Sequence, residues 1–169
     1  MSYISKVKLK YHLKDMGINI IESSSVLYHG TDKDFKELKP NGYGIIWLTD
    51  NPDAAKRYAR RSPTKWLFSV KISPRKTVDL RDLSDPITAE YKRQYEMSSI
   101  SGVNFKLPDD KWKSGKHGNY TLLERFGIDI LTENHVDVAI ALDASGAYDH
   151  ISYAVINPKC ITVIKRESF

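Results

Sequence analysis

Residues 26–35 read VLYHGTDKDF and residues 44–59 read GIIWLTDNPDAAKRYA. The first run ends on an imidazole, a glycine and a hydroxyl: His29, Gly30 and Thr31. The second carries an indole (Trp47), a hydroxyl (Thr49) and, eleven residues after the indole, a phenol (Tyr58). An imidazole can hold a sugar hydroxyl as donor or acceptor. A glycine has no Cβ, so a flat amide can approach its backbone. Aromatic faces on either side enclose a planar ring with defined geometry. If the two runs are adjacent, they supply what a dinucleotide carrying a carboxamide ring needs. Each residue also has an ordinary use. Val26, Leu27 and Tyr28 are good strand formers, GTDKD is common turn chemistry, Trp47 suits a sheet core, and Tyr58 suits packing of a helix on that sheet. The combination, rather than any member, points to a site.

The chain that must position these groups has 169 residues, which fits a single domain over 1–169 with a proper core. Its 41% hydrophobic and 28% charged residues suit a globular protein, and no apolar run approaches the ~18 residues of a membrane span. MSYISKVKLKYHLKD at the start lacks the uninterrupted apolar core of a secretory signal. Cys160 is the one cysteine, so no internal disulfide can form and a reducing cytoplasm is the default expectation. His12, His29, His117, His135 and His150 are scattered without zinc spacing, and no metal is expected. The net charge of +5 and pI near 9.1 favour anionic partners. Only KRYARR at 56–61 forms a dense basic patch.

Residues 1–24 form a lead-in whose apolar positions fit a helix or an extended run. SSVLYHG and GIIWLTD read as the first two strands. Asn51 or Asp50 caps a helix that has Pro52 at its first position, Asp53 in its first turn and arginines late. KWLFSVKIS (65–73) reads as a third strand and KTVDLRDL (76–83) as its extended continuation. PITAEYKRQYEMSSI reads as helix, 101–119 as a long surface loop, and 120–135 as a helix broken at Gly127. VDVAIALD, ISYAVI and CITVIK close the chain as strands. Strands first, helices in the middle and strands again predict an α+β fold with a mixed or antiparallel sheet.

LYHGT followed by GIIWLTDNPDAAKRYA resembles the ADP-ribosyltransferase superfamily, in its diphtheria-toxin and poly(ADP-ribose)-polymerase-like branch. Members carry an H-G-[ST] strand, then a G-[IL]-aromatic-[FL] strand running into a helix with A-x-x-Y. The resemblance covers residues 25–60 well and the closing YAVINPKCITVI more loosely. It implies a split β-sandwich with flanking helices and an NAD+ cleft. His29 and Gly30 would hold NAD+, Tyr58 and Trp47 would enclose nicotinamide, and Thr31 and Thr49 would support the pocket.

Family members place a glutamate where this chain has Ser152, at the head of Ser152-Tyr153-Ala154-Val155-Ile156-Asn157-Pro158. A carboxylate there would stabilise the oxocarbenium-like charge that develops as nicotinamide leaves, and a serine hydroxyl carries no full charge. Asp149 and His150 are near in sequence, and Glu124 and Glu133 are further substitutes. In the expected register no carboxylate lies beside Ser152.

The resemblance implies an NAD+-dependent mono-ADP-ribosyltransferase, with His29, Tyr58 and Ser152 as catalytic-site residues and NAD+ as co-substrate. The expected acceptor is a macromolecule, a protein before a nucleic acid, met by KRYARR and the 101–119 loop. A monomer of phage, toxin-like or effector type would suit it. The alternative is a catalytically weakened module of the same fold that binds NAD+ or a partner. A carboxylate reaching the pocket from elsewhere in the chain discriminates the two.

Overall fold

The computed structural model of the chain describes residues 25–59, 63–98, 106–113, 123–124, 127–143 and 150–169. The lead-in 1–24, Asp149 and the outer part of the basic patch, Arg60 and Arg61, lie outside these residues.

Seven strands form one mixed sheet: β1 (Leu27–Thr31), β2 (Ile46–Thr49), β3 (Trp66–Ile72), β4 (Thr77–Asp79), β5 (Val138–Asp143), β6 (His150–Val155) and β7 (Ile161–Ser168). Their spatial order is β4-β5-β6-β2-β1-β3-β7. Only β4 and β5 run parallel; the other neighbours are antiparallel. The join between β2 and β1 carries one register pair, Tyr28 with Thr49. By contrast β1 pairs along five positions with β3, and β2 along four with β6. The sheet is therefore thinnest between the two runs that carry the candidate site.

Helix α1 (Pro52–Tyr58) begins as its sequence predicts. The Asn51 side chain accepts from the amides of Asp53 and Ala54 at 3.0 and 3.1 Å, and Pro52 loses nothing at a position whose N–H has no helical partner. Helix α2 (Pro86–Met97) repeats the device with Asp85 as cap and Pro86 first. Short helices α3 (Asp109–Lys113) and α4 (Asp129–Glu133) follow. Gly127 has φ of 101°, a left-handed conformation that interrupts the helix expected over 120–135.

Alternation along the strands sends two apolar sets to opposite faces. Leu27, Ile46, Leu48, Phe68, Val70, Val138, Ile140, Tyr153 and Val155 form one core. On the other face Ala139, Ala141 and Ala154 pack with Tyr91, Trp112, Leu123 and Leu131 from the helical segments. One expectation is corrected here. Within the stretch 101–119 the residues 109–113 are helical, and Trp112 is fully buried with its indole N–H donated to the Leu80 carbonyl. Its burial turns part of a supposed surface loop into core.

Candidate functional site

The runs VLYHGT and GIIWLTD meet at the thin join of the sheet, and a cavity of about 340 Å³ opens there. His29, Gly30, Trp47, Thr49, Tyr58 and Ser152 all line it, together with Tyr28, Leu48, Ala55 and Glu124. Strand β1 contributes the imidazole, β2 the indole, α1 the phenol and β6 the serine. Tyr58 is half-exposed at the mouth, whereas Thr49 and Ser152 are buried.

His29 Nδ1 stands 2.8 Å from the carbonyl oxygen of Trp47. A carbonyl only accepts, so Nδ1 carries the proton and donates. Burial holds the imidazole pKa below its usual value, with the Trp47 bond working against that shift. The ring is therefore neutral at physiological pH, and its Nε2 presents a lone pair. That tautomer suits a hydroxyl donor such as a ribose. The edge of the Phe68 ring braces the imidazole, with centroids 6.3 Å apart.

Gly30 is required, for a reason different from the expected one. A Cβ built on it would lie 1.8 Å from the carbonyl oxygen of Ala55. The missing side chain lets α1 lie against β1, and that contact carries Tyr58 to the cavity. The two threonines separate. Thr49 lines the cavity, and its hydroxyl accepts from the Asn51 amide at 3.2 Å, steering the chain into α1. Thr31 does not line it; its hydroxyl accepts from the Lys33 amide at 3.2 Å and shapes the turn after β1.

Ser152 occupies the expected register, opposite Thr49 on β2 and Ala141 on β5. Glu124, one of the substitutes named from the sequence, lines the same cavity, and its Oε1 accepts the indole N–H of Trp47 at 3.0 Å. Glu133 is exposed on α4 and lines none of the cavity. His150 does not line the cavity; its Nε2 stands 3.4 Å from the Tyr58 hydroxyl.

One member of the neighbourhood was missed in the sequence. Asp143, at the end of β5, is fully buried, and its Oδ2 accepts the Tyr58 hydroxyl. His150 pairs with Asp143 across β5 and β6 and brings Nε2 within 3.6 Å of the same oxygen. The available signal was weak: an aspartate ends the apolar run VAIAL, where a turn residue is ordinary.

Among the described residues no group of three or more His, Cys, Asp or Glu side chains could hold a metal ion. Among the same residues no helix is long and apolar enough to cross a membrane.

No family model matches the chain, and no curated protein matches it significantly. A crystal structure of an anti-CRISPR protein is similar over 85% of this chain and 94% of its own, at 10% identity and a TM-score of 0.44. At that score the overlap carries no argument about fold or activity.

Proposed function

We propose that the chain is an NAD+-dependent mono-ADP-ribosyltransferase with a split-sandwich fold, whose cleft is the opening at the join of β1 and β2. One observation carries the reading: the six residues His29, Gly30, Trp47, Thr49, Tyr58 and Ser152, drawn from four separate elements, line a single cavity together with a carboxylate, Glu124. Thr31 keeps only a supporting place behind the strand end.

In this reading Trp47 and Tyr58 enclose the nicotinamide ring, the Gly30 backbone meets its carboxamide, and the neutral Nε2 of His29 accepts a ribose hydroxyl. The bond between nicotinamide and ribose breaks heterolytically, with the electron pair leaving on nicotinamide and positive charge developing on the ribose. Glu124 supplies the negative charge that Ser152 lacks, and stabilises that charge as it forms. Ser152 supports the ribose by hydrogen bonding. Holding NAD+ oriented for attack supplies the remainder of the acceleration. The acceptor then takes the ADP-ribose, a protein nucleophile being the first expectation; Lys56 and Arg57, in the last turn of the helix that carries Tyr58, are the basic residues offered to it.

A second reading has an observation in its favour. One Glu124 oxygen, Oε1, already holds the Trp47 indole, which makes the carboxylate part of the wall rather than of the chemistry. The protein would then be an NAD+- or partner-binding module. The experiment that separates the two is incubation with labelled NAD+ and cell lysate. Free nicotinamide with labelled macromolecule supports the transferase. NAD+ binding without either product supports the NAD+-binding module, and no NAD+ binding removes the transferase and leaves a partner-binding module.

A further inference from the structure

Two of the aromatic side chains that line the cavity, Trp47 and Tyr58, share a feature that the dinucleotide reading does not require. Each gives its polar hydrogen to a carboxylate. The Trp47 indole N–H donates to Glu124 Oε1 at 3.0 Å, and the Tyr58 hydroxyl donates to Asp143 Oδ2. Asp143 is fully buried behind Tyr58, with His150 as a third member of the group, 3.6 Å away. Among the described residues, the ten that line the cavity include no lysine or arginine. A hydrogen bond to an ionised acceptor is stronger than a neutral one and polarises its donor. Electron density is pushed towards the ring, and the ring's negative face deepens. Electron-rich faces attract cations, more strongly when water is excluded.

We infer that the Tyr58–Asp143 and Trp47–Glu124 pairs make this cavity selective for a flat heteroaromatic ring that bears a positive charge, with Asp143 as a specificity-determining residue acting through Tyr58. The inference rests on the reading of this cavity as a ring-binding site, and it names the charge state of the ring. Asp143 does not touch the ligand. It accepts the Tyr58 hydroxyl, fixes the direction of that bond, and sets a carboxylate behind the ring. Glu124 is the corresponding acceptor for the Trp47 indole.

The test compares two probes that share ring and carboxamide and differ in charge: the N-methylnicotinamide cation and neutral nicotinamide. Binding of each to the full chain is followed by NMR titration. The unaltered protein is expected to prefer the cation by roughly tenfold. Asp143→Asn keeps an oxygen to accept the Tyr58 hydroxyl but removes the charge, and Tyr58→Phe keeps the ring but removes the bond. Both are expected to cut the preference several-fold, the ratio of the two affinities being the quantity read. A structural collapse of the wall would instead weaken both probes alike. If Asp143→Asn does not fold, Tyr58→Phe at the half-exposed mouth and the unaltered protein still decide. Equal affinity for the two probes, failure of both to bind, or a preference that survives Tyr58→Phe overturns the inference. An NAD+ titration on the same sample keeps the two readings apart. Preference for the cation without NAD+ binding supports this inference and removes the dinucleotide; NAD+ binding without preference overturns it and leaves the dinucleotide.

Discussion

The imidazole of His29 reaches across the thin join of the sheet and donates from Nδ1 to the Trp47 carbonyl, 2.8 Å away. This contact ties β1 to β2 where their ladder has a single register pair, and it chooses the tautomer that the cavity receives. A side chain thus does at this point what backbone pairing does elsewhere in the sheet.

Acid stability follows from that contact. Burial lowers the His29 pKa from its usual 6.5, so on acidification the unfolded chain takes up the proton before the folded chain does. The stability contributed by the neutral ring is present above pH 6.5 and is lost as the pH falls through the lower folded value. His29→Gln can still donate to Trp47 but does not titrate. Its melting temperature is expected to fall less steeply than the parent's below pH 6.5. Parallel profiles in thermal melts would contradict this.

Ligand affinity tests the cavity directly. His29→Ala and Tyr58→Ala are each expected to weaken NAD+ binding by ~1–3 kcal/mol, through loss of a buried polar partner and of an aromatic wall. Calorimetric titration reads both. If each variant binds NAD+ as the parent does, the cavity is not the site.

Glu124 and Ser152 divide the question of chemistry. Glu124→Gln can still accept the Trp47 indole while lacking charge, so NAD+ binding is expected to hold and nicotinamide release to fall by roughly 10²-fold or more. Ser152→Glu, in contrast, would bury a second carboxylate in a wall that already contains Glu124, at a cost of several kcal/mol unless it stays protonated. It is expected to lower the melting temperature and give no gain in NAD+ hydrolysis. A faster Ser152→Glu enzyme would show that Glu124 is not the group stabilising the ribose.

Gly30 is expected to tolerate no side chain. In Gly30→Ala the new Cβ must displace the Ala55 carbonyl, and overpacking against backbone costs ~1–3 kcal/mol or more. Denaturant melts measure the loss. Because α1 moves away with Tyr58, NAD+ affinity should fall with it. Unchanged stability would mean that the helix does not rest on this glycine.

The strands, the caps of α1 and α2 and the α+β class could be read in the chain itself, because they depend on local physics. Alternation of Val, Ile, Leu and Tyr sets the strand faces, and Asn51-Pro52 and Asp85-Pro86 satisfy helix ends within a few residues. That His29, Trp47 and Tyr58 belong together as candidates was legible for the same reason, each lying at the end of, or within, a well-marked element, and the three line one cavity. What those residues touch was not legible. Glu124 and Trp47 are 77 residues apart, and Tyr58 and Asp143 are 85 apart. No periodicity links such positions; they meet only because β5 and β6 add to the sheet beside β2 and a helical segment covers that face. The burial of Trp112 and the purpose of Gly30 were decided at the same level. Burial and close approach are properties of two surfaces brought together, and one stretch of sequence records only its own half of each contact.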